Sequence, residues 1–152
     1  MDGDAQIRTG PLLGVRVLEL GNFIAGPFAG QLFGDYGAEV IKIEAPDGDP
    51  MRHWGVCVDD LSLWWPIIAR NKRSVVADLK DADDLAFVQR LAGECDVVLE
   101  NFRPGVLAKF DLDYDTLAAI NPGIIVTHVT GFGQTGPRST EAGFGSIGEA
   151  VG

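Results

Sequence analysis

The sequence predicts an α/β fold with a mostly parallel sheet flanked by helices, and three observations lead to this prediction. Strand-sized apolar runs alternate with helix-sized segments along most of the chain. These runs are rich in Val, Ile and Leu, as strands buried on both faces of a parallel sheet usually are. The chain has 152 residues, 46% of them apolar, which is enough for one domain with a hydrophobic core.

The first half of the chain supplies two strands and one helix. Residues 15–20, VRVLEL, form the first predicted strand, and the glycine-punctuated loop GNFIAGP follows it. The helix predicted after this loop has Pro27 in its first turn and ends at Gly37, because proline is common at helix starts and glycine at helix ends. Residues 38–44, AEVIKIE, form the second strand. Residues 61–70 suit a short helix or an irregular apolar patch, because a proline limits any helix there.

The second half continues the alternation. Residues 74–79, SVVADL, are the third predicted strand, and Asp81 can cap a helix from about residue 82 to 94. Apolar residues recur on one face of that helix. The remaining elements are a fourth strand, a short helix stopped by Asn-Pro and a fifth strand, at residues 96–101, 114–120 and 123–130. Ligands bind beyond the carboxyl ends of such strands, so the loops GNFIAGP, EAPDGDP, NFRPG and GFGQTGP are the candidate site.

The net charge of −10 argues against general binding to nucleic acids or anionic membranes. The charge is uneven, however, because residues 70–109 hold seven basic and seven acidic side chains, whereas the remainder holds five and fifteen. A local anion site is therefore possible. The acidic N-terminus and the interrupted apolar runs indicate neither a signal peptide nor a membrane span. Cys57 and Cys95 are more typical of two reduced thiols than of a disulfide, so we expect a cytoplasmic protein.

Several motifs have ordinary explanations. GFGQTG and GFGSIG both match the dinucleotide pattern GxGxxG, but neither precedes a sustained helix with an acid about 20 residues further on. A nicotinamide-dependent oxidoreductase domain is thus the first alternative function. His53 and His128 are isolated, so no metal site is predicted, and His128 is expected to be a core histidine. Glu149 is expected to cap a helix rather than to act as a catalytic carboxylate.

Basic residues beside the predicted strands form a more informative group. RNKRS at residues 70–74, Lys80, ENFRPG at residues 100–105 and Lys109 could gather cations around a phosphorylated ligand. Phe102 could stack on a flat base. A solvated charged surface explains the pattern equally well. A small non-catalytic α/β binding domain is therefore the second alternative function.

Long stretches of the sequence resemble the N-terminal part of family III CoA-transferases, the CaiB/BaiF family. They include GVRVLELGNFIAGPFAGQLFGDYGAEVIKIEAPDGDPMR, ENFRPG, GFGQTGP and AGFGSIGEAVG, and they span residues 12–152. The resemblance implies a Rossmann-like CoA-binding domain that is truncated at its C-terminus, behind an N-terminal tail of residues 1–11. The incomplete helix pattern GSIGEAVG at the chain end also favours a piece of a longer protein. An interlocked homodimer is implied for the full-length enzyme.

The implied reaction moves CoA from an acyl-CoA donor to a small carboxylic acid acceptor. An aspartate attacks the thioester and forms a mixed anhydride, and the released CoA thiolate then gives an aspartyl-CoA thioester. The resemblance places that aspartate beyond residue 152, so no catalytic residue is expected in this chain. CoA is a substrate in this scheme, and no tightly bound cofactor is expected.

The resemblance also implies a CoA-binding surface made of four segments. The loop after the first strand contributes Ile24 and Ala25, and the turn after the third strand contributes Ala77, Asp78, Leu79 and Lys80. The NFR turn contributes Asn101, Phe102 and Arg103, together with the nearby Lys109. A loop over the pantetheine contributes Ala142, Gly143, Phe144 and Gly145. Racemases of the family carry a catalytic histidine where Phe144 stands, which makes an acyl-CoA racemase less favoured. Some members have an arginine where Ala45 stands, so the resemblance does not extend to one of the family's phosphate contacts.

Overall fold

The five apolar runs become five parallel strands of one sheet in the computed structural model, which describes residues 9–151. The first eight residues of the tail expected at residues 1–11 lie outside the described residues. A short antiparallel hairpin forms a second sheet. In chain order the strands are β1 (Arg16–Glu19), β2 (Glu39–Glu44), β3 (Cys57–Val58), β4 (Leu61–Ser62), β5 (Lys72–Val76), β6 (Val97–Glu100) and β7 (Ile125–His128).

The large sheet has the strand order β5-β2-β1-β6-β7, and each pair of neighbours is parallel. Counted along the chain, this is the order third, second, first, fourth, fifth of a Rossmann-type sheet. The order reverses direction between β1 and β6. The predicted α/β class with a mostly parallel sheet is confirmed, and the reversal marks the place where ligands of such folds bind.

Helices cover both faces of the sheet. They are α1 (Ala25–Asp35), α2 (Trp65–Ile68), α3 (Ala82–Gly93), α4 (Tyr114–Ile120) and α5 (Gly145–Val151). Residues of α1 pack with Val17, Val40 and Leu99 on one face. Residues of α3 and α4 pack on the other face, where Leu18 and Val98 lie. None of the helices in the described part of the chain is long and apolar enough to cross a membrane.

Local signals explain where the helices begin and end. The Asp81 carboxylate accepts hydrogen bonds from the N–H groups of Asp83 and Asp84, so the predicted cap of α3 is confirmed. The end of α1 is followed by Gly37 with φ of +102°, a left-handed conformation that favours glycine. Asn121 ends α4, as the Asn-Pro pair predicted.

Two sequence-based predictions need correction. The third strand runs over Lys72–Val76 rather than residues 74–79. It starts earlier because the Lys72 side chain is buried in an ion pair, and it stops earlier because the Asp78 N–H binds the Asp84 carboxylate at 2.8 Å. The hairpin β3–β4 was not predicted, because its strands have two residues each and its turn residues, Asp59 and Asp60, both take positive φ.

Candidate functional site

The loops that follow β1 and β6 meet at the carboxyl edge of the sheet. Asn101, the first residue after β6, accepts a hydrogen bond from the Asn22 N–H at 2.9 Å and donates one to the Asn22 carbonyl at 2.9 Å. Glycines make room for this amide, since a Cβ on Gly21 would lie 2.6 Å from Asn101 Oδ1 and one on Gly26 3.2 Å away. Asn101 therefore joins the two loops at the reversal of strand order.

A buried ion network lies directly beneath the loop after β1. Lys42 Nζ is 2.8 Å from Asp49 Oδ2, 3.1 Å from Glu19 Oε1 and 2.7 Å from the Gly21 carbonyl oxygen. Lys72 Nζ is 2.7 Å from the other oxygen of Glu19. These four side chains are at most 2% exposed. Two ammonium groups thus balance two carboxylates, as burial of charge requires.

Asp49 also fixes the backbone of the loop after β1. Its Oδ1 accepts hydrogen bonds from the N–H groups of Phe23 at 3.2 Å and Met51 at 2.8 Å. Phe23 has φ of +62°, a conformation that bulky residues rarely adopt. Its ring meets that of Trp54 edge to face, with centroids 5.4 Å apart. The loop is therefore held in a strained shape by contacts from outside it.

Glu44, at the end of β2, forms a second buried charged group. It accepts two hydrogen bonds from Arg52, at 2.7 and 2.9 Å, one from the Asp49 N–H at 3.0 Å and one from the Ser74 hydroxyl. Burial alone would raise the pKa of Glu44, but the hydrogen bonds from Arg52 and Ser74 outweigh it and lower the pKa to about 2. The Arg52 guanidinium in turn lies 4.0 Å from the centre of the Trp65 ring.

We expect Glu44 to make stability depend on pH between about 4.5 and 2. Its pKa falls from 4.5 to about 2 on folding, so its contribution is complete above pH 4.5 and disappears as the pH falls towards 2. Glu44→Gln should therefore be less stable than wild type at pH 6.5 and should lose less stability on going to pH 3. Urea denaturation at the two pH values measures both effects. Asp35→Asn is the comparison variant: the pKa of Asp35 is also lowered to about 2, so this change should flatten the pH dependence too, but by less, because solvent screens its more exposed pair with Arg70. Equal pH slopes for Glu44→Gln and wild type would contradict the prediction.

The structure divides the predicted cations into two groups. The basic residues of RNKRS are engaged elsewhere, because Arg70 pairs with Asp35, Lys72 with Glu19 and Arg73 with Glu39. This part of the predicted constellation therefore does not form a free anion site. Within residues 9–151, by contrast, no acidic side chain pairs with the basic residues that follow β5 and β6, namely Lys80, Arg103 and Lys109.

The other predicted CoA-binding residues differ in how accessible they are. Ile24 and Ala25 lie exposed at the start of α1. Ala77 is 2% exposed, and Leu79 and Phe102 pack partly against the core. Phe102 therefore offers less of its ring for stacking than the sequence suggested. Asp78 is half-buried, and its carboxylate accepts a hydrogen bond from the Lys80 N–H at 2.9 Å.

The two GxGxxG segments lie against each other after β7. A Cβ on Gly131 would lie 2.6 Å from the Cα of Gly143, so their backbones touch. This contact brings Ala142, Gly143, Phe144 and Gly145 close to the end of β7, and the Phe144 side chain is 68% exposed. In a Rossmann-type sheet the dinucleotide fingerprint belongs to the turn between the first strand and the first helix. Neither match occupies that turn, which carries GNFIAG instead.

Two single residues behave differently from expectation. His128 is not a core histidine, because it ends β7 with its side chain 29% exposed and its Nδ1 bonded to the Glu100 carboxylate. The other oxygen of Glu100 accepts the Phe102 N–H at 2.5 Å. Glu149 is exposed within α5, away from the helix start, so it does not cap that helix. Across the described residues, His, Cys, Asp and Glu side chains form no group of three that could hold a metal ion.

A cavity of about 440 Å³ lies at the opposite, amino edge of the sheet. Arg16 lines it and pairs with Glu39 and Glu94. With three carboxylates in its wall it is unsuited to an anionic ligand. Its lining residues are Leu13, Gly14, Val15, Arg16, Gly37, Glu39, Glu94 and Asp96.

The residues of the buried ion network were not predicted from the sequence. A signal was present, because Glu19 and Lys42 are charged residues inside strands predicted to be buried on both faces. A charge in such a strand needs a partner. Asp49 gave no comparable signal, since an aspartate in the loop EAPDGDP is typical of a turn.

The chain matches the model of CoA-transferase family III over residues 12–152. It is 58% identical to succinyl-CoA–D-citramalate CoA-transferase of Chloroflexus aurantiacus, over 93% of this chain and 36% of the relative. It is 46% identical to succinate–glutarate CoA-transferase of Agrobacterium fabrum, over 95% of this chain and 38% of the relative. A solved CaiB/BaiF family protein from Brucella suis superposes with a TM-score of 0.89 and 42% identity, over 95% and 40% of the two chains. The chain thus spans little more than a third of the length of these relatives.

Proposed function

The chain belongs to CoA-transferase family III, and from this premise we propose that it is the CoA-binding part of an enzyme that moves CoA from an acyl-CoA donor to a carboxylic acid. One observation supports this above the others. Lys80, Arg103 and Lys109 follow the carboxyl ends of β5 and β6 and pair with no acid of the described chain. In a protein of net charge −10, free cations at the ligand-binding edge suit the phosphates of CoA.

We assign the four segments as follows. Phe102 and Arg103, with Lys109 in the short 3-10 helix Leu107–Phe110, would contact the adenine nucleotide together with the turn Ala77 to Lys80. The ends of β5 and β6 are three strands apart, roughly 14 Å at the usual strand spacing. An extended ligand with several phosphates can bridge such a distance, whereas a single phosphate cannot. Ile24 and Ala25 would lie along CoA at the start of α1, and Ala142 to Gly145 would cover the pantetheine.

We propose dicarboxylic acids as the substrate class. The relatives named above carry succinyl-CoA, succinate, D-citramalate or glutarate in their names, all of them dicarboxylates or their thioesters. Phe144 and Gly145 cannot exchange a proton with a substrate carbon. This supports transfer over racemisation.

The chemistry we propose needs a carboxylate nucleophile outside residues 1–152. An aspartate of the whole protein attacks the acyl-CoA carbonyl carbon, the C–S bond breaks, and a mixed anhydride and CoA thiolate result. The thiolate then attacks the aspartyl carbonyl and releases the donor acid. The acceptor carboxylate attacks the aspartyl-CoA thioester, and the thiolate it frees attacks the acceptor carbonyl to regenerate the aspartate. The role of this chain is to hold CoA in place while its sulfur leaves and returns.

We also propose that the whole protein is a homodimer. Phe28 and Leu32 of α1 and Tyr36, which directly follows it, recur every four residues, and each is between 41% and 56% exposed. Such an apolar stripe is typical of an interface. We further propose a cytoplasmic location, which the two free thiols, Cys57 and Cys95, support.

Titration of the chain with CoA and with NAD by calorimetry tests the proposed function. We expect CoA to bind and NAD to bind more weakly or not at all. Arg103→Ala and Lys80→Ala should each weaken CoA binding by about 1.5–3 kcal/mol, roughly ten- to a hundredfold in Kd, because each loses a charge-assisted phosphate contact.

Arg90→Ala is the matched control for this titration. Arg90 also lacks an acidic partner among the described residues, but it lies in the last turn of α3, towards the amino edge. Its loss should leave CoA affinity unchanged. Preference for NAD over CoA would refute the proposed function. Equal CoA affinity in all three variants and wild type would show that Lys80 and Arg103 belong to a solvated charged surface.

A further inference from the structure

The loop after β1 has no strand to pair with. The Leu20 N–H still bonds to the Leu99 carbonyl at 2.8 Å, and the ladder between β1 and β6 ends there. From Gly21 onwards the backbone has to find hydrogen-bond partners elsewhere. Ile24 and Ala25, which would contact CoA, lie three and four residues after Gly21.

Three side chains from three different places supply those partners. Lys42 of β2 donates to the Gly21 carbonyl at 2.7 Å. Asn101 after β6 holds both the N–H and the carbonyl of Asn22. Asp49 accepts the N–H of Phe23 at 3.2 Å. Three consecutive residues are therefore fixed by side chains that lie far from them in sequence.

Buried ion pairs and close contacts in turn hold these side chains in place. Lys42 and Asp49 are each 1% exposed and paired with each other, and Glu19 fixes Lys42 from the end of β1. Asn101 is confined between Gly21 and Gly26. Phe23 would relax from its φ of +62° if the hold on its N–H were released, because that conformation is unfavourable for an aromatic residue.

We propose that Lys42, Asp49 and Asn101 are positioning residues that hold residues 21–23 in the shape in which the following residues bind CoA. This inference rests on the proposed function. In this proposal the Asn101 side chain acts by holding the loop rather than by contacting CoA, because its Oδ1 and its Nδ2 each already form a hydrogen bond with the Asn22 backbone. A preformed loop binds more tightly, since its ordering is complete before CoA arrives.

Asn101→Ala tests the proposal most cleanly, because it removes no charge. We expect its Kd for CoA to rise about tenfold and the Asn22 amide proton of the ligand-free protein to exchange at least ten times faster than in wild type. The Leu20 amide should keep its protection. Asn121→Ala is the matched control, since the Asn121 side chain also makes two bonds to backbone, to the Cys95 carbonyl and the Gly123 N–H, but does so at the amino edge. Its CoA affinity should equal that of wild type.

Each remaining outcome overturns the inference. If CoA affinity falls while the Asn22 amide stays as protected as in wild type, Asn101 is a direct ligand. If affinity in Asn101→Ala equals that in Asn121→Ala, the loop needs no positioning. Rapid exchange of the Asn22 and Phe23 amides in the wild-type chain would also overturn it, even if Asn101→Ala failed to fold. A wild-type chain that binds no CoA overturns the proposed function as well, so the two failures are distinguishable.

Discussion

Replacing Gly30 by alanine is expected to lower the free energy of unfolding by about 3–5 kcal/mol. Helix propensity alone predicts the opposite sign, because alanine in a helix interior is favoured over glycine by about 1 kcal/mol. Gly30 lies in α1 directly over the end of β1, and a Cβ there would collide with the Glu19 carboxylate. Glu19 cannot move aside without leaving Lys42 and Lys72, both buried.

Gly93→Ala is the control for this prediction. Gly93 ends α3, and a Cβ there would lie 3.0 Å from a methyl carbon of Ile120. Ile120 is 61% exposed and can turn away, so we expect a change within about 1 kcal/mol of wild type. Urea denaturation of the two variants and wild type measures the difference. A Gly30→Ala variant as stable as Gly93→Ala would show that the Glu19 carboxylate is free to move.

The fold could be predicted largely from local sequence. Strand-sized and helix-sized segments alternate visibly, and Asp81 and Gly37 act on helix ends only a few residues away. The third strand was misplaced because its first residues, Lys72 and Arg73, are charged and therefore resemble a loop. Their burial or pairing depends on Glu19 and Glu39, which come from other strands. Local patterns carry no information about such partners.

The candidate site was predicted less completely, for the same reason. The family resemblance predicted four CoA-binding segments, and the structure brings two of them, those after β1 and β6, into contact through Asn101. The same resemblance predicted Asn101 as a CoA-binding residue but gave no sign that its side chain bonds to the backbone of Asn22. The register of β1 and β2 places Glu19 beside Lys42 on one face of the sheet. That register is a property of the assembled sheet and could not be derived from either strand alone.

Lys42→Met is expected to destabilise the chain about as strongly as Gly30→Ala, by about 3–5 kcal/mol. Methionine fills a similar volume, so packing changes little. The ammonium group is lost, however, and Asp49 is left buried with a negative charge that no longer faces Lys42. The Gly21 carbonyl loses its donor as well. Denaturant unfolding at pH 7 measures the loss.

Arg70→Met is the control. It also removes a cation from an ion pair, but that pair is more exposed than the pairs of Lys42 and has a shorter contact. Arg70 lies 2.5 Å from Asp35, and its side chain is 48% exposed. Water screens this pair and solvates Asp35 once Arg70 is gone, so we expect a much smaller loss than for Lys42→Met. Equal losses would mean that distance rather than burial decides the contribution of an ion pair in this protein.

A second substitution should recover part of the stability lost in Lys42→Met. In Lys42→Met with Asp49→Asn, the buried charge left at residue 49 is removed, while the amide oxygen can still accept the N–H groups of Phe23 and Met51. Glu19 keeps Lys72 as its partner. We therefore expect the double variant to be more stable than Lys42→Met, because leaving one buried charge without a partner costs more than replacing both charges of the ion pair with neutral side chains. A double variant that is less stable than Lys42→Met would show that Asp49 is stabilised by its hydrogen bonds alone and that its charge needs no cation.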